Sequence, residues 1–308
     1  MRVGFIGLGK MGSGMALNLR KAGVELSVYD VYKGNAKPLL EAGASWAASI
    51  ADLAREADVV FTSLPGPREV KEVACGEGGL FRAMRDGAVW FDLSTNSVSV
   101  LRELGVRFKG RNVQLLDSPV SGGPTGARTG KLAIYVGGDR STFDQFKYLL
   151  DAIGDEVLYV GELSAGTAAK LVHNTASNII RMAIAEVFTL GVKAGVEPLR
   201  LWHAIRQGGI GRSRTFDRIG DQYLQSKYEV PSFALRLAHK DMTLALELAR
   251  ELNVPMPHAE LTYDDYTTAL DRGWGDMDSR SPMQLQNERA GVSIKETAEA
   301  VRRTLELG

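Results

Sequence analysis

The 308-residue sequence has a single cysteine, no net charge and no long apolar segment. Cys75 has no second cysteine with which to pair, so neither an intrachain disulfide nor a cysteine-rich metal site can form. With 37 basic and 37 acidic side chains, the chain has no overall field that would attract nucleic acid or an anionic membrane. We therefore expect no bound metal, no nucleic-acid partner and no membrane association.

The sequence also lacks the uninterrupted run of about 18 apolar residues that a membrane span requires. Its most apolar helical stretch, 175–192, is broken by Arg181 and Glu186. Residues 1–3 lead directly into a short apolar strand, so we expect no cleaved signal peptide. We expect a cytoplasmic protein, and the length predicts two domains.

Strand-like and helix-like segments alternate from residue 2 to about residue 161. Short apolar runs predict strands, and apolar residues at helical spacing predict a helix over 11–22. This alternation is typical of an α/β doubly wound, Rossmann-type domain, in which helices cover both faces of a parallel sheet. The predicted strands lie at 3–6, 26–29, 59–64, 89–93, 113–116, 132–136 and 157–160.

After residue 163 the pattern is entirely helical. Ser164 is suited to cap a long helix over 166–194, which Gly195 and Pro198 would end. The sequence therefore predicts a Rossmann-type domain at 1–163, an interdomain helix at 164–194 and an all-α domain at 195–308. Further helices are predicted at 199–207, 233–252, 259–271 and 281–289.

A glycine-rich loop follows the first predicted strand. Gly7, Gly9 and Gly12 fit the pattern G-x-G-x-x-G, with Lys10 and Met11 before the last glycine. The first glycine permits a tight turn, the second a close approach of the backbone to a pyrophosphate, and the third close packing of the helix on the strand. The loop predicts a dinucleotide site at the helix N-terminus, and a glycine turn without a ligand is the alternative.

The second predicted strand ends at Asp30, about twenty residues after the loop. A carboxylate at this position can bind the ribose hydroxyls of NAD and would repel the 2′-phosphate of NADP. Lys33 complicates the prediction, because its ammonium group could pair with such a phosphate. We expect NAD to be favoured, with NADP as the alternative cofactor, and a solvated turn aspartate as the alternative role of Asp30.

Four segments of the chain match the motifs of a known family. They are 4–12, Asp-Ser-Pro-Val-Ser-Gly-Gly at 117–123, Gly-Thr-Ala-Ala-Lys-Leu-Val-His-Asn at 166–174, and His-Lys-Asp at 239–241. Their order and separation resemble the β-hydroxyacid dehydrogenases, which include 3-hydroxyisobutyrate dehydrogenase, tartronate semialdehyde reductase and 2-(hydroxymethyl)glutarate dehydrogenase. The resemblance covers nearly the whole chain. It implies hydride transfer between a small 3-hydroxy acid and NAD or NADP, which gives a 3-oxo acid or a semialdehyde.

The resemblance also implies which residues bind the substrate. It assigns the substrate carboxylate to Ser121, Gly122 and Gly123, a run whose consecutive N–H groups can form an anion-binding nest. It makes Lys170 the acid/base that exchanges a proton with the hydroxyl group. Asn174, one helical turn later on the same face, would hydrogen-bond the substrate. A turn without a ligand and an exposed lysine are the alternative interpretations.

Further residues are placed near the cofactor by the resemblance. Lys240 would lie near the nicotinamide and Asp241 near the substrate, although a charged pair on a solvated helix face is the alternative. Leu64 and Pro65 lie at the end of one predicted strand and Thr95 follows another, at the carboxyl ends where doubly wound folds bind ligands. For Thr95 a plain helix cap is the alternative interpretation.

Some features leave the function open. His173 stands where the family often has asparagine, and it is either a supporting group or an ordinary helix histidine. Arg212 or Arg214 could bind a second substrate carboxylate, or lie on the surface. A homodimer or homotetramer is implied by the resemblance. An imine reductase, which shares the fold, and a non-catalytic dinucleotide-binding protein are the alternative functions, and the presence of Lys170 argues against both.

Overall fold

The computed structural model describes residues 1–208, 218–220 and 222–306. The chain forms two compact units, Met1–Val172 and His173–Gly308. The boundary between them falls inside one long helix, Ala165–Lys193. Within the described residues every strand belongs to the first unit, so the predicted combination of a doubly wound domain and an all-α domain is confirmed.

The first unit contains a sheet of nine strands within the described residues. Its order is β3-β2-β1-β4-β5-β6-β8-β7, with β9 paired to β8. Neighbours from β3 to β6 are parallel, in the order typical of doubly wound dinucleotide-binding folds. The strands are β1 (Val3–Ile6), β2 (Leu26–Tyr29), β3 (Ser45–Trp46), β4 (Val59–Thr62), β5 (Val89–Asp92), β6 (Gln114–Asp117), β7 (Val120–Ser121), β8 (Ala133–Gly137) and β9 (Glu156–Gly161).

The sheet departs from the sequence-based prediction at the end that holds β7, β8 and β9. There β8 runs antiparallel to β6, so the expected parallel arrangement is wrong for this pair. It also runs antiparallel to β7, a two-residue strand that was not predicted. Residues of β9 alternate between exposed and half-buried, whereas β1, β4 and β5 are buried throughout. The last strand therefore has one face open to solvent and is not covered on both sides as the prediction assumed.

Helices of the first unit pack on both faces of the sheet and produce two apolar clusters. On one face Phe5, Phe61 and Phe91 stack in sequence across β1, β4 and β5, with ring centroids 6.1 and 5.2 Å apart. On the other face Trp90 packs against Phe108. Each such fully buried side chain contributes roughly 1.5–3 kcal/mol to folding. The helices are α1 (Gly12–Lys21), α2 (Lys37–Glu41), α3 (Ile50–Glu56), α4 (Pro67–Cys75), α5 (Leu80–Ala83), α6 (Val98–Lys109), α7 (Gly123–Thr129) and α8 (Arg140–Asp151).

The second unit is a helical bundle around one apolar core, which includes Phe188, Trp202, Met242 and Tyr266. Among the described residues, the predicted helices begin and end within two residues of the observed ones. The prediction did not include the short 3-10 helix Arg218–Gly220 or the last, polar helix. The long helix α9 (Ala165–Lys193) is followed by α10 (Pro198–Gln207), α11 (Leu235–Glu251), α12 (Pro257–Asp271), α13 (Met283–Ala290) and α14 (Ala298–Glu306). No helix in the described parts of the chain has the length and apolar character needed to cross a bilayer.

Candidate functional site

The glycine loop after β1 combines two tightly packed glycines with one that faces open space. Gly7 has a φ of +93°, and a methyl group on it would lie 2.2 Å from the carbonyl oxygen of Ser63. A methyl group on Gly12 would lie 1.9 Å from the carbonyl oxygen of Gly7. Gly9 is exposed, and a methyl group on it would meet no atom within 4 Å. Packing therefore explains Gly7 and Gly12 but not Gly9, and the space beside Gly9 fits an approaching pyrophosphate.

Helix α1 begins directly behind this loop with an uncapped N-terminus. Met11 precedes the helix and makes no side-chain capping bond, and the first turn contains no acidic residue. Lys10 beside it is exposed. The free N–H groups and the positive end of the helix dipole therefore lie beside the loop, which favours a bound anion.

Asp30, at the end of β2, is bound to the glycine loop. Its Oδ2 accepts the N–H of Leu8 at 2.6 Å, and its Oδ1 accepts the N–H of Tyr32 at 2.8 Å. The nearby Lys33 ammonium lies 5.5 Å from the centre of the Trp46 ring, where a cation–π contact stabilises it. The Asp30 carboxylate is thus fixed beside the glycine loop, and its predicted role in ribose binding stays a prediction.

A buried network holds the turns that follow β4 and β5. The N–H of Leu64 donates to Ser94 Oγ at 2.9 Å. Asp92, fully buried, accepts hydrogen bonds from the N–H of Ser94, from Asn96 Nδ2 and from Thr62 Oγ1. Burial raises the pKa of Asp92, and these hydrogen bonds oppose the rise. The sequence analysis did not identify Asp92, although an acidic residue at the end of an apolar strand is an available signal.

The predicted cofactor residues of the first unit lie at one edge of the sheet. Strands β1, β4 and β5 are adjacent and parallel, so the glycine loop, Leu64 with Pro65, and Thr95 all follow carboxyl ends at the same edge. Pro65 is exposed, and Leu64 and Thr95 are half-buried. This edge is where doubly wound folds bind dinucleotides.

The segment Ser121-Gly122-Gly123 forms the turn between β7 and α7. Gly122 has a φ of +135° and Gly123 a φ of +64°, values that glycine adopts without strain. Both glycines are exposed, and a methyl group on Gly123 would meet no atom within 4 Å. The turn therefore presents its backbone to solvent, as an anion-binding nest requires.

Lys170 is buried, at 8% exposure, in the second turn of α9. The start of this helix is held by Asp117, at the end of β6. Asp117 Oδ1 accepts the N–H of Ser164 at 2.7 Å, and its Oδ2 accepts the N–H of Thr167 at 2.6 Å. The expected cap therefore needs a correction, because the acceptors come from Asp117, 47 residues before Ser164.

The buried Asp117 carboxyl group has a raised pKa. Burial raises its pKa from 3.8 to about 6, and the hydrogen bonds from the helix oppose this rise. Gly166 permits the close approach, because a methyl group there would lie 2.2 Å from the carbonyl oxygen of Tyr135. The Asp-Ser-Pro segment is thus connected directly to the helix that carries Lys170.

Three of the predicted residues meet in the second unit. Asn174 Nδ2 donates to Asp241 Oδ2 at 2.6 Å, and Lys240 Nζ lies 2.8 Å from Asp241 Oδ1. Asn174 and Asp241 are buried, at 9% and 2% exposure. His173 Nδ1 lies 3.0 Å from Asn174 Oδ1, which identifies it as a neighbour of a candidate site residue. Arg212 and Arg214 lie outside the described residues.

Two buried or half-buried polar residues on α9, Asn178 and Arg181, were not singled out from the sequence. Asn178 is 1% exposed, and Arg181 Nη1 donates to its Oδ1 at 2.7 Å. Their polar character within an apolar helical stretch, four and seven residues after Asn174, was the available signal. In the described parts of the chain no group of three His, Cys, Asp or Glu side chains could hold a metal ion.

Two family models match this chain in succession. The NAD binding domain of 6-phosphogluconate dehydrogenase matches residues 2–161. A model described as the NAD-binding of NADP-dependent 3-hydroxyisobutyrate dehydrogenase matches residues 164–286. The two models together cover most of both units of the structure.

Individual relatives match over nearly their whole length. The chain is 33% identical to 2-(hydroxymethyl)glutarate dehydrogenase of Eubacterium barkeri, over 96% of this chain and 97% of the relative. The structure of Mycobacterium tuberculosis 3-hydroxyisobutyrate dehydrogenase with L-serine is similar, with a TM-score of 0.82, 28% identity, and coverage of 92% and 98%. The imine reductase of Myxococcus stipitatus in complex with NADP+ has a TM-score of 0.60, 18% identity, and coverage of 92% and 99%, a likeness that shows the fold alone.

The chain therefore belongs to the β-hydroxyacid dehydrogenase family. Its class is that of NAD(P)-dependent oxidoreductases that act on the CH–OH group of a 3-hydroxy acid. The predicted reaction class is confirmed over the imine reductase and non-catalytic alternatives.

Proposed function

We propose that this enzyme oxidises the hydroxyl group of a small 3-hydroxy acid, with NAD as the favoured acceptor and Lys170 as the acid/base. The observation that carries the proposal is the position of Lys170, buried on α9 one turn before Asn174. Asn174 is itself fixed by its hydrogen bond to Asp241. An amine needs such a fixed polar setting to exchange a proton at one defined substrate atom.

The cofactor site in this proposal uses backbone groups more than side chains. The loop glycines and the start of α1 bind the pyrophosphate, and the Asp30 carboxylate accepts ribose hydroxyl groups. When bound, NAD supplies the chemistry of hydride acceptance. The residues assigned to the cofactor are Gly7, Gly9, Lys10, Met11, Gly12, Asp30, Leu64, Pro65, Thr95 and Lys240.

The substrate is held at its carboxylate and at its hydroxyl group. The N–H groups of Ser121, Gly122 and Gly123 bind the carboxylate. Asn174 and Asp241 orient the hydroxyl group, and neutral Lys170 takes its proton as the C–H hydride leaves. The C–O bond becomes a carbonyl, and in the reverse direction Lys170 returns the proton. Such proton transfer contributes roughly 100- to 10,000-fold to the rate.

The decisive experiment replaces Lys170 with methionine, which keeps the length of the side chain. We expect turnover of 3-hydroxy acids, followed by the absorbance of reduced nicotinamide, to fall by roughly 100- to 10,000-fold. The affinity for NADH, measured by fluorescence titration, should change little. The control is K109M, because Lys109 is exposed in the last turn of α6. Undiminished turnover in K170M would contradict the proposal.

The proposal includes a homodimer or a homotetramer. This part of the proposal is what the resemblance to the family implies. Sedimentation equilibrium of the purified protein tests this part, and a monomer at micromolar concentration would contradict it.

A further inference from the structure

A row of polar residues continues along α9 beyond the proposed hydroxyl-binding group. Asn178 and Arg181 follow Asn174 by four and seven residues, which places all three on one side of the helix. We call these three residues the α9 row. Asn178 is buried, Arg181 is half-buried, and their neighbours Ile179 and Met182 belong to or pack against the apolar core. Polar groups in such a setting need partners, because removing them from water costs free energy.

The guanidinium group of Arg181 is held by neutral groups. Its Nη1 donates to Asn178 Oδ1 at 2.7 Å and lies 3.3 Å from Ser279 Oγ. Burial raises the pKa of the Tyr266 hydroxyl, and the neighbouring Arg181 cation partly opposes that rise. These contacts orient the guanidinium group without neutralising its charge.

The charge of Arg181 has no compensating carboxylate among the described residues. Asp278, which precedes Ser279, pairs with Arg280 at 2.9 Å. Asp241 pairs with Lys240 at 2.8 Å. An oriented, half-buried cation without an anionic partner is energetically costly, and an anion that joined it would remove this cost.

A second donor in the same row lacks an acceptor. Asn178 Nδ2 is fully buried and has no hydrogen-bond partner in the described structure. A buried amide donor without a partner costs about 1–3 kcal/mol, so native structures rarely retain one without a reason. The Arg181 guanidinium group lacks an anionic partner, and the Asn178 amide lacks an acceptor. A carboxylate, with its negative charge and two oxygen atoms, could serve both.

We propose that Arg181, with Asn178 and Ser279, binds a second carboxylate of the substrate, so that the enzyme prefers dicarboxylic 3-hydroxy acids. This inference rests on the proposed function, which places the hydroxyl group at Asn174. Helical rise separates Asn174 from Asn178 by about 6 Å, a span that a chain of a few carbon atoms can bridge. The Arg181 side chain points towards the N-terminus of α9, as its bond to Asn178 requires, and so extends towards Asn174.

The test compares three acids that differ only in one substituent. The first is 3-hydroxy-2-methylpropanoate, and in the other two the methyl group is extended to carboxymethyl or to 2-carboxyethyl. For the wild-type enzyme we expect kcat/KM to be at least about 10-fold higher for one of the diacids than for the monoacid. In R181M this ratio should fall by roughly 10- to 100-fold, mainly through KM, and R181K should recover only part of it.

A second variant separates binding from a purely structural role of Arg181. N178D places a carboxylate beside the guanidinium group, so the protein itself supplies the missing anion. We expect N178D to lose the diacid preference as R181M does, while its melting temperature does not fall. If Arg181 served only to hold the helices together, N178D would keep the wild-type ratio. The matched control is R200M, because Arg200 is exposed in α10.

The outcomes distinguish this inference from the function on which it rests. If the wild type oxidises no 3-hydroxy acid, the proposed function fails and the second carboxylate site fails with it. If the wild type oxidises the acids but shows no diacid preference, or if the ratio is unchanged in R181M and N178D, only the inference about Arg181 is overturned.

Discussion

Replacing Asp117 with asparagine tests how the helix that carries Lys170 is held at its first turn. In the wild type both carboxylate oxygens accept backbone N–H groups, from Ser164 and from Thr167. Asparagine keeps the size of the side chain but offers one acceptor oxygen, as a protonated carboxyl group does. We therefore expect D117N and the wild type to be about equally stable at a pH where Asp117 is protonated.

The two proteins should diverge as the pH rises. Burial raises the pKa of Asp117 from 3.8 to about 6 in the folded protein. Because the folded pKa lies above the unfolded value, the stability that protonated Asp117 contributes is complete below about pH 4 and is lost as the pH rises through about 6. At 1.36 kcal/mol per pKa unit, the difference between the unfolded pKa of 3.8 and the folded pKa of about 6 corresponds to about 3 kcal/mol of unfolding free energy. Since asparagine does not titrate, D117N should be more stable than the wild type at about pH 8 by up to about 3 kcal/mol.

Urea unfolding from about pH 4 to about pH 8, followed by tryptophan fluorescence, measures the difference in unfolding free energy. The control is D139N, because the exposed Asp139 caps α8 and its hydrogen bonds, first from Ser141, lower its pKa to about 2. Because ionised Asp139 contributes its full stability above about pH 4, the stability difference between the wild type and D139N should stay nearly constant over this pH range, unlike the difference for D117N. A D117N protein that is less stable than the wild type at about pH 8 would refute the reasoning.

Three further predictions concern the proposed cofactor site. G9A should keep the wild-type melting temperature, because its methyl group meets no atom within 4 Å, while its affinity for NADH falls at least about 10-fold in a fluorescence titration. G12A should instead lower the melting temperature, because its methyl group lies 1.9 Å from the Gly7 carbonyl oxygen; equal melting temperatures would contradict the packing argument. D30A should lower the NAD-to-NADP ratio of kcat/KM by at least about 10-fold in steady-state assays, and an unchanged ratio would show that Asp30 does not select the cofactor.

The sequence predicts elements that local features determine more accurately than elements that depend on contacts between residues far apart in the chain. Strands β1 and β2 begin and end where predicted, because an apolar run and its flanking turn are local features. The two-residue strand β3 was missed, since Ser45 and Trp46 show no apolar run and owe their conformation to pairing with β2. Helix α14 was missed because its residues are mostly polar and only Val301 and Thr304 are buried.

The candidate site shows the same dependence on range. The role proposed for Gly9 follows from a pattern of six residues, but the contacts of Asp117 involve partners 47 and 50 residues away. Arg181 meets Ser279 across 98 residues, so spacing alone could not connect them. A motif therefore reveals groups that a short segment positions, and three-dimensional packing is needed to find groups positioned from elsewhere in the chain.

The proposed cofactor site and the proposed specificity site therefore depend on different parts of the chain. The dinucleotide loop depends on backbone geometry, which glycines impose and few substitutions tolerate. The polar contacts of Arg181 instead depend on side chains of α9 and of Ser279, and each can change without altering the backbone. If Arg181 binds a second carboxylate as proposed, substitutions at Arg181 or Asn178 should change which acid is accepted while the cofactor site is kept. A designed change of substrate should therefore begin at Arg181 and Asn178, and not at the glycine loop.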